Sequence, residues 1–235
     1  MTAARFPRAV LFDLDGTLLD SAPDFVAATT AMLAARGRAA VSLEQLRPVV
    51  SKGARAMLAV AFPELPDTAR DGLVPEFLQR YEGLIGQHAV LFDGVADMLD
   101  ALDADGARWG IVTNKPEYLA RLILPQQHWQ DRCAVLVGGD SLPQRKPHPL
   151  PLLHAAQLMG VSAPHCVYVG DDERDIIAAR AAGMRSIAAL WGYRLAEDDP
   201  ATWQADTNVE DAVSLQQASQ WPTFPAHAGF YLKDV

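Results

Sequence analysis

The sequence predicts an α/β fold in which a doubly wound, mainly parallel sheet carries an inserted, smaller helical domain. Three observations lead to this prediction: short uninterrupted apolar runs, amphipathic stretches between them, and one long segment that contains no such run. The chain has 235 residues, of which 50% are hydrophobic. It therefore has enough apolar material for one core with an insertion.

The predicted strands are short apolar runs that end in polar residues or glycine. They cover residues 9–12, 109–112, 134–137, 166–169 and 186–190. Runs of this kind are typical of strands buried on both faces of a parallel sheet. The stretches 95–102 and 150–159 carry apolar residues at helical spacing, so strands and helices alternate. Because ligands bind beyond the carboxyl ends of such strands, we expect the functional residues directly after the apolar runs.

Residues 20–87 form the segment without a strand run, and they are predicted to be helical. The expected helices cover residues 25–36, 43–50, 54–60 and 73–85. We interpret the segment as a helical cap inserted after the first strand, so that residues 1–19 and 88–235 form a discontinuous core. The tail after about residue 218 is rich in proline and aromatic residues, including Pro225, Phe230 and Tyr231. It packs either on the core or on a partner subunit, and the sequence does not decide between them.

Composition excludes several classes of protein. A net charge of −9, from 20 basic and 29 acidic residues, argues against nucleic acid as a partner. No apolar stretch approaches the ~18 residues of a membrane span, and the apolar run near the start is too short for a signal peptide. We therefore expect a cytoplasmic protein without a membrane partner. Cys133 and Cys166 cannot form a disulfide framework, and Cys166 is expected to be a buried thiol.

Two carboxylates follow the first predicted strand directly, at Asp13 and Asp15. In extended chain they point to the same side, while Leu14 between them faces the core. Carboxylates held this close repel each other unless a cation lies between them or one keeps its proton. A hard divalent cation, usually magnesium near phosphates, satisfies this arrangement. The alternative is a strand that ends in an acidic turn.

Four motifs together resemble the signatures of the haloacid dehalogenase superfamily. Residues 12–21, Phe-Asp-Leu-Asp-Gly-Thr-Leu-Leu-Asp-Ser, are very similar to the first signature. Thr113 matches the second, Lys146 the third, and residues 170–175, Gly-Asp-Asp-Glu-Arg-Asp, the fourth. They follow in the order and at the strand ends that the family uses. The resemblance implies a Rossmann-like core and hydrolysis of phosphomonoesters through a phosphoaspartate.

The resemblance also implies a role for each carboxylate. Asp13 would be the nucleophile and would bind Mg²⁺ through its other oxygen. Asp15 would act as the general acid and base, and its backbone carbonyl would be a second metal ligand. Asp171 would complete the metal site directly. Asp172 and Asp175 have two open interpretations, as residues that orient the metal ligands or as caps of the following helix.

The remaining implied contacts concern the substrate. The core residues expected to contact the phosphoryl group or its surroundings are Gly16, Thr17, Thr113, Asn114 and Lys146, with Lys146 also restraining Asp13. In the predicted cap, Val-Val-Ser-Lys-Gly-Ala-Arg at residues 49–55 resembles the family's substrate-contacting turn. Lys52 or Arg55 would there meet a carboxylate or hydroxyl of the substrate. The alternative for both is a solvated charge at a helix end.

The chain looks like the phosphoglycolate-phosphatase-like subgroup with a small helical cap, and it also resembles N-acetylmuramic acid 6-phosphate phosphatases. The implied partner is a small phosphorylated metabolite. A phosphomutase of the β-phosphoglucomutase type shares the carboxylate pair and is the alternative, and a non-catalytic binding or regulatory relative is a remote one. Thr17 after Asp-Leu-Asp-Gly is usual in the phosphatases and favours hydrolysis. Nothing in the sequence indicates the oligomeric state.

Overall fold

A six-stranded sheet forms the centre of the molecule in a computed structural model that describes residues 6–224. The strands are β1 (Ala9–Phe12), β2 (Leu19–Asp20), β3 (Val90–Leu91), β4 (Arg108–Val112), β5 (Cys133–Val137), β6 (Cys166–Gly170), β7 (Arg185–Ala189) and β8 (Thr207–Val209). Six of them form the sheet in the order β5-β4-β1-β6-β7-β8, and its five pairings are all parallel. The predicted α/β class is confirmed.

Helices pack on both faces of this sheet. The α-helices are α1 (Ala22–Ala34), α2 (Leu43–Leu46), α3 (Ala54–Ala61), α4 (Asp67–Glu82), α5 (Val95–Ala104), α6 (Glu117–Gln126), α7 (Leu150–Leu158) and α8 (Glu173–Ala181). The alternation along β1 shows the two faces. Val10 and Phe12 belong to one apolar cluster and Ala9 and Leu11 to another, and all four are fully buried. Burial on both faces explains why this strand is an uninterrupted apolar run.

A two-stranded antiparallel ribbon brackets the four helices that follow β1. Leu19 of β2 pairs with Leu91 of β3, and α1 to α4 lie between these strands in the chain. The buried carboxylate of Asp24 accepts 2.7 Å hydrogen bonds from the backbone N–H groups of Gly86 and His88. These bonds tie α1 to the returning chain. The boundaries of the cap at residues 20–87 stay a prediction, and the name cap is used below for α1 to α4 with their connections.

The structure differs from the sequence prediction at several element ends. The predicted helix over residues 43–50 is α2 followed by a 3₁₀ helix, Arg47–Lys52. Pro48 lies at the start of this 3₁₀ helix and has no N–H to continue the α-helical hydrogen bonds. The strand β8 was not predicted, because its three residues include one buried side chain, that of Val209.

The described part of the tail packs on the core. Trp221 is 4% exposed, and its indole N–H donates a 2.7 Å hydrogen bond to the carbonyl of Leu215. Its ring meets Phe6 edge-on, with centroids 6.2 Å apart. The aromatic and proline residues from Pro225 onward lie outside the described residues. Within residues 6–224, no helix combines the length and the apolar content that crossing a bilayer requires. The thiol of Cys166 is buried, as predicted, and neither cysteine forms a disulfide.

Candidate active site

The carboxyl ends of three adjacent strands bring the predicted residues together. Asp13 follows β1, Thr113 follows β4 and Asp171 follows β6, and β1 lies between the other two strands. The backbone continues the parallel pattern past the strand ends, since Asp13 N–H donates to the carbonyl of Val169 at 2.9 Å. Lys146 enters the same region from the loop that follows β5. Strand order therefore converts four distant motifs into one site.

The two oxygens of the Asp13 carboxylate have different surroundings. Oδ1 accepts a 2.7 Å hydrogen bond from the backbone N–H of Leu14 and lies 3.0 Å from Lys146 Nζ. Oδ2 accepts no hydrogen bond from residues 6–224. Leu14 is fully buried, as the alternation predicted, so the backbone that carries Asp13 is fixed. The arrangement holds one oxygen and leaves Oδ2 free to attack an electrophile or to bind a cation.

Lys146 is a fully buried cation between two carboxylates. Its Nζ lies 3.0 Å from Asp13 and 2.7 Å from Asp175, and it donates a 2.7 Å hydrogen bond to the hydroxyl of Tyr168. Burial alone lowers the pKa of Lys146, but the two carboxylates outweigh burial and raise the pKa above its usual value. Lys146 therefore stays charged and fixes the orientation of Asp13.

Three buried carboxylates form an acidic cluster at the end of the sheet. Asp13, Asp171 and Asp175 each offer an oxygen, and these oxygens lie within 4.8 Å of one another. Burial raises the pKa of Asp171 well above its usual range, and the charges of Asp13 and Asp175 add to the effect. Lys146 compensates one of the three charges. A hard divalent cation with oxygen ligands would relieve the remaining repulsion, so the residues present fit a magnesium site.

The neighbours of Asp171 explain the glycine and the threonine of the first motif. Thr17 Oγ1 donates a 3.0 Å hydrogen bond to Asp171 Oδ1. Gly16 has φ +91°, and a Cβ on this residue would lie 2.1 Å from Asp171 Oδ2, so no other side chain fits there. Thr17 thus holds the Asp171 carboxylate, and Gly16 leaves room for it. Their predicted contact with substrate stays a prediction.

Asp15 forms an ion pair with Lys115, a residue that the sequence analysis did not single out. Lys115 Nζ lies 3.0 and 2.9 Å from the two oxygens of Asp15, and it donates a 2.6 Å hydrogen bond to the hydroxyl of Tyr81 in α4. The Lys115 side chain is 3% exposed. Its position two residues after Thr113, just beyond the end of β4, could have indicated Lys115 from the sequence. No sequence pattern indicated that Tyr81 of the cap would contact it.

Thr113 and Asn114 lie beside this pair. The backbone N–H of Lys115 donates to Thr113 Oγ1 at 3.3 Å, which leaves the hydroxyl hydrogen free to donate elsewhere. The side-chain amide of Asn114 donates a 3.0 Å hydrogen bond to the backbone carbonyl of Lys146, and its own Oδ1 has no partner within residues 6–224. Thr113 is thus positioned as a donor to a ligand, and Asn114 positions the loop that carries Lys146.

The cap turn at residues 51–55 contacts the core through charged groups. Lys52 Nζ lies 2.9 Å from Asp172 and 3.0 Å from Asp198. Arg55 pairs at 2.7 Å with Asp71 of the cap, and its side chain is 74% exposed. The two predicted substrate contacts therefore differ: Lys52 joins the cap to the core, whereas Arg55 stays within the cap.

Asp172 and Asp175 both make the contacts of helix caps. Asp172 Oδ1 accepts a 3.1 Å hydrogen bond from the N–H of Arg174, and Asp175 Oδ2 accepts one of 3.1 Å from the N–H of Asp172. Burial raises the pKa of Asp172, but the contacts with Arg174 and Lys52 outweigh burial and lower the pKa. Asp175 belongs to the acidic cluster as well. Asp175 can therefore both cap α8 and orient the carboxylates of the cluster, so the two interpretations do not exclude each other for this residue.

A cavity of about 650 Å³ lies between the cap and the core. Its core side is polar and includes Asp13, Asp15, Thr113, Asn114, Lys115, Lys146 and Arg174. Its cap side is mainly apolar and includes Phe25, Val50, Met57, Val74, Phe77, Leu78 and Tyr81, with Lys52 and Arg55 at the turn. The cavity therefore has a polar, charged core side and a mainly apolar cap side.

Comparison with known proteins gives a consistent set of relatives. The family model of haloacid dehalogenase-like hydrolases matches residues 10–189. The chain is 68% identical over 218 residues to the phosphoglycolate phosphatase of Xanthomonas campestris pv. campestris (strain 8004), covering 93% of this chain and 99% of the relative. It is 44% identical over 209 residues to the N-acetylmuramic acid 6-phosphate phosphatase of Pseudomonas aeruginosa PAO1, covering 88% and 92%.

A solved structure supports the same assignment. The crystal structure of a predicted phosphoglycolate phosphatase from Haemophilus somnus 129PT superimposes with a TM-score of 0.79 at 26% identity, covering 91% of this chain and 98% of that one. The similarity of sequence and the similarity of fold thus lead to the same group of proteins.

Proposed function

The chain belongs to the haloacid dehalogenase-like hydrolases and is a phosphatase, and from this premise we propose that it cleaves a small phosphomonoester through a phosphoaspartate on Asp13. The observation that carries the proposal is the asymmetry of the Asp13 carboxylate. Its Oδ1 is held by Leu14 N–H and Lys146, while Oδ2 has no hydrogen-bond donor within residues 6–224, and Asp13 lines the cavity. A fixed carboxylate with one free oxygen is the arrangement that nucleophilic attack requires.

The first step forms the bond between Asp13 Oδ2 and phosphorus and breaks the ester bond to the leaving oxygen. Asp15 donates the proton that the leaving oxygen takes up. In the second step Asp15 takes a proton from water, the water oxygen bonds to phosphorus, and the bond to Asp13 breaks to release phosphate. Lys146 and the hydroxyl of Thr113 stabilise the negative charge on the phosphoryl oxygens during both transfers.

The acidic cluster would hold Mg²⁺, with Asp13, Asp171 and the backbone carbonyl of Asp15 as the proposed ligands. Asp175 is a further candidate, since its carboxylate lies in the same cluster. When bound, the cation supplies the positive charge that lets an anionic phosphate approach several carboxylates. The protein's own contribution is to keep these carboxylates buried and oriented, through Thr17, Ser51 and the N–H of Tyr193 on Asp171.

Phosphoglycolate is the first candidate substrate, because the 68%-identical relative bears that name. A sugar phosphate such as N-acetylmuramic acid 6-phosphate is the second. A relative with 44% identity carries this name, and a cavity of about 650 Å³ with an apolar wall has room for a leaving group much larger than glycolate. Both candidates present the same phosphoryl group to Asp13 and differ in the part that faces the cap.

The test is a phosphate-release screen of the purified enzyme with Mg²⁺ against phosphoglycolate, N-acetylmuramic acid 6-phosphate, hexose phosphates and nucleoside monophosphates. We expect release from one of the first two at a kcat/KM at least tenfold above the others. No bisphosphate activator is added, so a phosphomutase would release no phosphate in this assay. Absence of phosphate release from every substrate would contradict the proposal.

A further inference from the structure

Lys115 is a buried cation of the cavity that the chemistry at phosphorus does not use. It lies on the core side beside Asp15, and the rings of Phe25 and Tyr81 from the cap cover it, with Nζ 4.9 and 4.3 Å from their centroids. The Lys115 side chain is 3% exposed, yet it lines the cavity. Lys115 therefore lies beside Asp15 in the lining of the cavity.

Its hydrogen bonds leave one donor for a ligand during turnover. The three N–H groups of the ammonium have three acceptors in the structure: the two oxygens of Asp15 and the hydroxyl of Tyr81. Asp15 must turn one oxygen to the leaving oxygen in order to transfer a proton to it. Lys115 then keeps one contact with Asp15 and has a donor free.

We propose that Lys115 binds a carboxylate on the carbon that carries the scissile ester, so that the site selects 2-phosphooxy carboxylates. This inference rests on the proposed function and names the substrate class for it. Such a carboxylate is separated from the ester oxygen by one carbon. Asp15, which protonates that oxygen, contacts Lys115 directly. A hexose 6-phosphate has no carboxylate at this place.

The other cations of the cavity are less suited to this contact. Lys146 already contacts Asp13 and Asp175, and Lys52 contacts Asp172 and Asp198. Arg174 forms an ion pair with Asp172. Arg55 and Arg145 are exposed, so solvent screens their charges. Within residues 6–224, Lys115 forms an ion pair with one carboxylate, that of Asp15, and aromatic rings cover it and exclude water. A charge-assisted hydrogen bond is strongest in such surroundings.

The experiment compares phosphoglycolate with 2-hydroxyethyl phosphate, which replaces the carboxylate by a neutral hydroxymethyl group at the same position. For the wild-type enzyme we expect kcat/KM to favour phosphoglycolate by about 10- to 100-fold, the value of one charge-assisted hydrogen bond. In Lys115→Met this preference should disappear, and Lys115→Arg should restore part of it. Arg132→Met is the matched control, because Arg132 forms a surface ion pair with Asp100 and Asp103 away from the cavity.

Each outcome decides the inference. A wild-type enzyme that hydrolyses both esters without preference overturns it, whether or not the variants fold. So does a Lys115→Met variant that loses activity on both esters by the same factor, since Lys115 would then only position Asp15. If the wild-type enzyme hydrolyses neither ester but releases phosphate from sugar phosphates, the substrate class is wrong and phosphatase action stands. If it hydrolyses no phosphomonoester at all, the proposed function fails as well.

Discussion

The hydroxyl of Ser51 in the cap donates a 2.7 Å hydrogen bond to Asp171 Oδ2 in the acidic cluster. The backbone carbonyl of the same serine accepts a hydrogen bond from the guanidinium of Arg174. The cap turn is therefore hydrogen-bonded to one carboxylate of the acidic cluster and to Arg174 at the start of α8.

Ser51→Ala should lower the free energy of unfolding by about 1 kcal/mol, the usual net value of one hydrogen bond. The acceptor Asp171 keeps Thr17 and the N–H of Tyr193 as donors, so the loss should stay near this value. Urea denaturation measures it, with Ser214→Ala as the control, because the Ser214 hydroxyl contacts Asp211 at the exposed surface. Equal stability of the two variants would mean that the Ser51 contact does not stabilise the docked cap.

Lys146→Ala should depress kcat/KM for all substrates together, by roughly 10²- to 10³-fold, because the ammonium orients Asp13 and stabilises charge that every substrate shares. The variant also leaves Asp13 and Asp175 without their buried cation, so its fold must first be verified by circular dichroism. Steady-state kinetics on phosphoglycolate and on a sugar phosphate provides the comparison. A loss confined to one substrate would assign Lys146 to recognition of the leaving group.

Lys52 and Arg55 should behave differently, although the sequence analysis expected both to contact the substrate. Arg55→Ala should change the ratio of kcat/KM between phosphoglycolate and a bulky sugar phosphate, by up to about tenfold given its exposure. Lys52→Ala should raise KM for both substrates alike, since it removes the ion pairs with Asp172 and Asp198 that join cap to core. Unchanged ratios in Arg55→Ala would mean that specificity resides elsewhere in the cavity.

Removal of divalent cations should abolish activity, and added Mg²⁺ should restore it, whereas Ca²⁺ should restore it poorly because it is larger and less strict in geometry. A second readout is independent of turnover. Mg²⁺ should raise the Tm of the metal-free wild-type protein, since it relieves repulsion between Asp13, Asp171 and Asp175. In Asp171→Asn this Tm increase should be much smaller. Full activity after exhaustive chelation would contradict the metal site.

Five apolar runs match five strands with ends that differ by at most one residue. Four of these strands, β1, β4, β6 and β7, were predictable because nearly all their positions are buried, as Phe12 and Val169 show. The edge strand β5 is only partly buried, and its run was apolar all the same. The strand β8 lacks that signal at the edge of the sheet. The α-helix predicted over residues 43–50 ends at Leu46, just before Pro48. The prediction followed the spacing of the apolar residues and did not allow for the proline, which cannot continue an α-helix.

The site was predictable where chemistry follows a strand and not where the cap meets the core. Asp13, Thr113 and Asp171 stand directly after apolar runs, and parallel topology brings such positions together. The contact of Lys115 with Tyr81 of the cap spans 34 residues, and that of Ser51 with Asp171 spans 120. Spacing in the sequence does not determine how an inserted domain docks, so these partners required the structure.

In the proposed mechanism Asp13 carries the phosphoryl group, and this group can be located in the enzyme. Wild-type enzyme is mixed with excess substrate and Mg²⁺, quenched in acid within the first turnovers, digested, and analysed by mass spectrometry. We predict a phosphoryl group on Asp13 in the peptide that contains it, and its absence in Asp13→Asn together with the loss of turnover. Phosphorylation of a different residue, or substantial turnover by folded Asp13→Asn with deamidation excluded, would contradict a phosphoaspartate on Asp13.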